Sequence, residues 1–172
     1  MSRKARLDGI LEAAALVLGD RGWHGTTMRE VSRAADVGLA TLYHYLSGRE
    51  DLLYQVQMRV LGAAVESAQA ALAGRGSRER LRALLTDHVR RIQARPVEAA
   101  VLSGQVGSLR GERERRLAEL RDRYHEVVGA AVDAATRSPR RRRRETEERV
   151  LLLLGKADRL ALDARTASLR TP

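Results

Sequence analysis

The sequence contains no cysteine and no phenylalanine, only three prolines, and aromatic residues make up just 3% of its 172 residues. The first absence excludes a disulfide framework, a thiolate zinc site, an iron–sulfur cluster and a cysteine nucleophile. Prolines at 96, 139 and 172 leave long stretches without a helix breaker, and β-branched alternation is nowhere sustained. No apolar run is long enough for a bilayer. The stretch Arg3 to Leu18 is interrupted by Asp8 and Glu12, and the run Leu151 to Leu154 with Leu160 and Leu162 is too short. A compact H-E-x-x-H motif, a glycine-rich phosphate loop, a paired-carboxylate cluster and a histidine triad are all missing. The expectation is therefore a soluble, cytoplasmic protein that is not an enzyme, carries no cofactor and no metal, and has no membrane partner.

What is present is enough apolar side chain, 44%, to fill the core of about one domain or of a small module joined to a larger one. Ala, Leu, Arg and Glu dominate, and the fold class they predict is all-α. Leu7, Ile10, Leu11, Ala14, Ala15 and Leu18 share one helical face, with a stop expected at Gly19 and a turn at Arg21-Gly22. Thr27 to Glu30 and Ser47 to Glu50 both have the S/T-x-x-E form of a capping box, so each should open a helix. Between them lies a short segment, Leu39 to Leu46, with Leu42 and Leu46 inward. A long helix is expected from Glu50 to the breaker Gly74-Arg75-Gly76, about seven turns. Further helices are expected over 78–94, 97–108, 112–136 and 145–165, with the five arginines Arg140 to Arg144 as a solvated link.

The net charge of +10 points toward a polyanionic partner, but its distribution matters more than its size. Residues 1 to 54 hold seven Lys or Arg and seven Asp or Glu, and the remaining 25 bases and 15 acids lie in residues 55 to 172. The global excess is therefore no evidence about the first fifty residues. Evidence there comes from pattern. Two short helices joined by a tight turn form a helix-turn-helix, which presents its second helix to the DNA major groove. Around the inward Leu42 and Leu46 stand Leu39, Ala40, Thr41, Tyr43, His44 and Tyr45, small groups and hydrogen-bonding aromatics that can meet base edges and phosphates. One ring, Tyr45 in particular, has packing into the core as its ordinary alternative.

The run Thr26 to Val31, with Ala35-Asp36-Val37, Thr41-Leu42-Tyr43-His44-Tyr45 and Arg49-Glu50-Asp51-Leu52-Leu53, resembles the N-terminal domain of TetR-family transcriptional regulators over roughly residues 6 to 56. The resemblance implies a helix-turn-helix DNA-binding domain over 1–48 and a helical effector-binding and dimerisation domain over 49–172. It implies a homodimer on a palindromic double-stranded DNA operator, acting as a repressor released by a small-molecule effector. The alternative is a constitutive or partner-controlled DNA-binding protein. Carried over by position, the family's roles place Thr27 on phosphate and Arg29 on a base edge or phosphate. Leu39, Ala40 and Thr41 would meet base edges, while Tyr43, His44, Tyr45 and Arg49, where the family often has lysine, would meet the backbone. Arg29 and Arg49 have solvated surface as their alternative. Asp36 stands where a turn glycine is common, Gly38 where a serine cap is usual, and Leu46 where phenylalanine is common. After residue 165 little chain remains for a final helix, so either a reduced dimer interface or a last helix that is only a short stub is expected.

Residues 97 to 128, with Ser108 to Glu112 and Arg121 to His125, are also similar to family members that respond to acyl-CoA thioesters. Arg110, Arg113, Arg121 and Arg123 would then serve an anionic ligand, or equally form a solvated face paired with Glu112, Glu114, Glu119 and Asp122. His88, Gln105 and Tyr124 are polar groups in segments that otherwise want burial, which makes them ligand-binding candidates or satisfied core residues.

Overall fold

The computed structural model describes residues 2–73, 76–95, 97, 100, 101, 109–136, 152, 154 and 155. Among them are α1 (Arg3–Gly25), α2 (Met28–Ala34), α3 (Leu39–Tyr45), α4 (Arg49–Ala71), α5 (Ser77–Ala94) and α6 (Glu112–Thr136), and no strand. Val97, Ala100 and Val101 are also helical. The rest of the segment expected at 97–108, the arginine run at 140–144 and most of the helix expected at 145–165 lie outside the described residues. The chain divides into one unit of Met1–Val60 with Arg95–Leu117 and another of Leu61–Ala94 with Ala118–Pro172. The first unit thus runs past residue 48 and takes in a later segment, and α4 and α6 each contribute to both units.

In the first unit α1 buries Ile10, Leu11, Ala14 and Leu18 of the stripe its spacing predicts and Ala13 in addition, while Leu7 and Ala15 of that stripe are half-buried. The helix starts at Arg3, where the Ser2 hydroxyl accepts from the Ala5 N–H at 3.1 Å. It does not stop at Gly19. The chain stays helical to Gly25 with one break at Gly22 (φ 67°), a backbone state that glycine adopts without steric cost. Leu52, Leu53 and Val56 of α4 add fully buried side chains, each stabilising by about 1.5–3 kcal/mol. Arg59 ties α4 back to α1 by pairing with Glu12 at 3.0 Å and Asp8 at 3.6 Å, and Arg95 pairs with the same Glu12 at 2.9 Å.

The capping box expected at Ser47 is replaced by a different arrangement. Helix α4 begins one residue later than that box requires, at Arg49, so the side chain one turn in is Asp51 and not Glu50. Its carboxylate accepts the Ser47 N–H at 3.0 Å. Arg113, at the start of α6, reaches the other oxygen of Asp51 at 3.4 Å and lies 5.5 Å from the centre of the Tyr54 ring. Arg113 is therefore not paired with Glu112, which instead takes Arg116 at 2.9 Å and also Arg115.

In the second unit α5 buries Leu84, His88 and Ile92, one residue per turn, and α6 buries Tyr124, Val128, Ala131 and Val132. Val65 and Ala68 of α4 are buried in the same unit. Ser67 donates to Asp87 at 2.8 Å and Arg91 donates to the same carboxylate oxygen at 2.8 Å. Burial opposes ionisation of Asp87, but these two hydrogen bonds outweigh it and hold the carboxyl below its ordinary range. No helix of the described residues is long and apolar enough to cross a membrane.

Candidate nucleic-acid interface

Helix α2 opens with the capping box its sequence predicts. The Thr27 hydroxyl accepts from the Glu30 N–H at 3.3 Å, while the Glu30 carboxylate accepts from the Thr27 N–H at 2.9 Å and from its hydroxyl at 2.9 Å. Arg21 pairs with the second oxygen of Glu30. The Thr27 hydroxyl, its N–H, and the charges of Arg21 and Arg33 hold the Glu30 carboxyl below its ordinary range. A group whose pKa falls on folding contributes stability above its unfolded value, and that contribution fades as pH drops through the folded value. Replacing Thr27 with alanine is expected to cost about 1 kcal/mol at neutral pH. The gap between wild type and Thr27→Ala should narrow on acidification below the ordinary glutamate range, leaving the share of the hydroxyl that accepts the Glu30 N–H, and a gap that acid does not change would mean that the Glu30 carboxylate contributes nothing to this cap.

The turn after α2 is closed from inside. Ser32 is buried; its hydroxyl donates to the Val37 carbonyl at 2.6 Å, and its own carbonyl accepts the Val37 N–H at 3.1 Å. Asp36 carries the turn in the left-handed region at φ 49°, as its place in the pattern predicts, since a short polar side chain tolerates that backbone better than most. Gly38 then caps α3 without a side-chain hydrogen bond. Helix α3 spans seven residues, too few to hold itself in water, and is fixed by Leu42 (0% exposed) and by Leu46 just past its end (1% exposed).

That anchoring decides which groups face outward. Ala40, Thr41, Tyr43 and His44 are exposed, Tyr43 to 50%, while Leu39 and Tyr45 are half-buried at the edges. Arg3 lies 5.7 Å from the centre of the Tyr45 ring, so a cation covers part of this half-buried side chain. Arg29 on α2 is exposed as well. Arg29, Tyr43 and His44 make no hydrogen bond or ion pair among the described residues. Two candidates are differently placed from the rest. Both donors of Thr27 go to Glu30, so a phosphate there would have to displace a carboxylate. Arg49 is half-buried, with its guanidinium 4.0 Å from the centre of the Trp23 ring and donating to the Trp23 carbonyl. Nothing in the spacing of the sequence pointed to that contact.

In the second unit the structure brings together two of the three ligand candidates. His88 (2% exposed) and Tyr124 (4% exposed) share a hydrogen bond of 2.7 Å between Nδ1 and the phenol oxygen, with ring centres 6.1 Å apart. Gln105 lies outside the described residues. A cleft of about 700 Å³ runs along the other side of α5, where Leu81, Leu85 and Val89 form an apolar stripe beside Arg82 and Arg90, but neither His88 nor Tyr124 lines it. Among the described residues no group of three or more His, Asp or Glu stands close enough to hold a metal ion.

A buried turn between two short helices, an exposed and unpaired face on the second, and a separate helical unit define a helix-turn-helix protein with an attached all-α domain. Residues 10–56 match the model of the bacterial regulatory proteins of the tetR family, and residues 74–161 match the tetracyclin repressor-like C-terminal domain. The chain belongs to the TetR family. It is 36% identical over 114 residues to the HTH-type transcriptional regulator BetI of Rhizobium meliloti (strain 1021), covering 65% of this chain and 56% of that protein. It is 26% identical over 137 residues to the HTH-type transcriptional repressor KstR2 of Rhodococcus jostii (strain RHA1), covering 78% of this chain and 67% of that protein. The chain thus matches little more than half of the length of the BetI regulator. Its fold is that of AibR, solved in complex with isovaleryl coenzyme A and operator DNA, with a TM-score of 0.73 and 24% identity over 87% of this chain and 82% of that one.

Proposed function

We propose that the protein is a sequence-specific DNA-binding transcriptional regulator that acts as a homodimer, repressing until a small molecule releases it. The observation that carries this reading is the face of α3: Ala40, Thr41, Tyr43 and His44 stand outward on a helix held by two buried leucines. The small groups suit base edges and thymine methyls, while the tyrosine hydroxyl and histidine ring can donate to phosphate oxygens. Arg29, exposed on α2, adds a cation to this face of a module whose net charge is zero. Thr27 would join the interface only by exchanging Glu30 for a phosphate. Two recognition helices read one duplex when they lie about 34 Å apart, one helical turn, and a twofold dimer provides that arrangement on a palindrome.

The effector belongs to the second unit in this reading. An acyl-CoA thioester is the ligand class proposed, supported by the likeness of residues 97–128, of which 118–128 belong to the second unit, to thioester-responsive members and by the isovaleryl coenzyme A bound to AibR. His88 and Tyr124 would be the polar pair such a ligand meets in the unit's interior. Since α4 and α6 contribute to both units, a ligand that favours one arrangement of these helices would bias the spacing of the recognition helices.

Selection of genomic fragments by the purified protein tests the central claim. The bound fragments should share an inverted repeat with half-sites one helical turn apart, and recovery of fragments with no common sequence would reject the reading. Tyr43→Phe should weaken binding to a selected fragment by about tenfold or more, the size of one hydrogen bond to a charged acceptor. Melting temperature should not move, because Tyr43 is exposed, and neither should the salt slope, because a neutral hydroxyl displaces no counterion. Acyl-CoA thioesters should raise the melting temperature and dissociate the complex; a protein that neither is stabilised nor lets go of DNA is a constitutive binder.

A further inference from the structure

Arg49 is the cation nearest the start of α4, and its position on the helix-turn-helix makes a phosphate contact the obvious role. The geometry assigns it another. Its guanidinium lies 4.0 Å from the centre of the Trp23 ring, within the range of a cation–π stack, and one terminal nitrogen donates to the Trp23 carbonyl. Its Nε is buried with no hydrogen-bond partner among the described residues. Nε is thereby shut away from any phosphate, and one N–H of a terminal nitrogen is committed to the carbonyl.

The carbonyl that Arg49 holds lies just before the segment that enters α2. It also accepts the Thr26 N–H at 3.3 Å, and the buried Thr26 hydroxyl donates to the Gly22 carbonyl at 2.7 Å. Gly22 to Thr27 is therefore a knot of hydrogen bonds that begins at the break in α1 and ends at the capping residue of α2. Arg49 joins that knot to the first turn of α4, across 26 positions of sequence. Arginine suits the task, because a planar fork can lie on a ring and donate sideways at once, whereas an ammonium is a point charge.

We propose that Arg49 is a positioning residue: through Trp23 it fixes the turn that launches α2 against the start of α4, and it supports DNA binding by setting the helix-turn-helix and not by touching a phosphate. The inference rests on the DNA-binding reading above for its functional half only. Its structural half stands on the free protein.

Trp23 is the only tryptophan in the chain, so its fluorescence reports the stack directly. In the absence of DNA, Arg49→Lys and Arg49→Ala should both shift the emission of Trp23; unchanged emission in both would remove the stack and with it the proposal. On adding a selected DNA fragment the wild-type emission should stay near its free value. A change on binding that matches the Arg49→Ala spectrum would mean that the arginine leaves the ring for the duplex, which overturns the proposal. Affinity then separates the roles. Measured well below the melting temperature, Arg49→Lys should lose about tenfold in affinity with the salt slope unchanged, since the charge is kept but the stack is lost. A phosphate anchor would instead tolerate lysine and, on replacement by alanine, flatten the slope by about 0.9. Trp23→Leu should reproduce the affinity loss of Arg49→Lys, and the double variant should be little worse than either alone; additive losses would contradict the latch. Wild-type protein that binds no DNA fragment selectively would sink the regulator reading while leaving the fluorescence arm to judge the stack.

Discussion

Replacing Leu42 with alanine should destabilise the first unit by about 2–5 kcal/mol and abolish operator binding, the largest effect expected of any single truncation in the helix-turn-helix. Leu42 is 0% exposed and sits in the middle of a seven-residue helix. Such a helix contributes little stability of its own, because nucleation costs more than two turns of hydrogen bonds return. Its order therefore depends on the leucine that anchors it. Truncation removes three carbons from a filled space and leaves a cavity that the short, turn-bound segment can close only by moving. A native domain of this size is held by about 5–15 kcal/mol, so the loss is a large share of the total. Urea denaturation and amide exchange across Leu39 to Tyr45 check it together. Protection in α3 should fall further than in the middle of α1, and a Leu42→Ala protein that melts with the wild type would show that the helix is held by something else. The contrast with Tyr43→Phe, which should change affinity and not stability, separates the inward face from the outward one.

That contrast also shows what the sequence made legible. The short helix, the inward leucines and the strained turn at Asp36 are properties of neighbours three or four residues apart, and periodicity reads such neighbours well. The box at Thr27 was legible for the same reason. The equivalent pattern at Ser47 misled, because one residue's difference in where α4 starts hands the capping role from Glu50 to Asp51. Of the stop expected at Gly19 and the turn expected at Arg21-Gly22, the second is where the break falls, at Gly22 with positive φ, while Gly19 stays helical because a glycine inside a helix costs only about 1 kcal/mol. The contacts missed altogether join residues far apart in the chain: Arg49 with Trp23, Arg113 with Asp51, Arg59 with Asp8 and Glu12. Helical spacing says which face a side chain occupies and is silent on which helix lies opposite. His88 and Tyr124 illustrate the boundary. Each stood out as a polar group on a buried stripe, but their meeting, 36 positions apart, is a fact of tertiary structure.

Tyr124→Ala should cost about 3–5 kcal/mol, the ordinary range for truncating a buried aromatic, and Tyr124→Phe about 1–3 kcal/mol. The difference between them isolates the ring from the hydroxyl. Phenylalanine keeps the packing of a side chain only 4% exposed but removes the oxygen that meets His88 Nδ1 at 2.7 Å, leaving a buried imidazole nitrogen without that partner. Substituting both partners with apolar residues of similar shape, as in His88→Leu with Tyr124→Phe, should recover part of the loss, because neither member of this pair is then left facing an apolar replacement of the other. Thermal or urea denaturation of wild type, His88→Leu, Tyr124→Phe and the double variant completes the cycle, and losses that simply add would mean that the two side chains are not coupled. The same proteins bear on the effector. If an acyl-CoA thioester engages this pair, Tyr124→Phe should weaken ligand-induced stabilisation beyond its effect on the free protein, while binding of DNA by the ligand-free dimer stays near wild type. Equal stabilisation of wild type and variant would make His88 and Tyr124 a packing device of the second unit and move the ligand elsewhere.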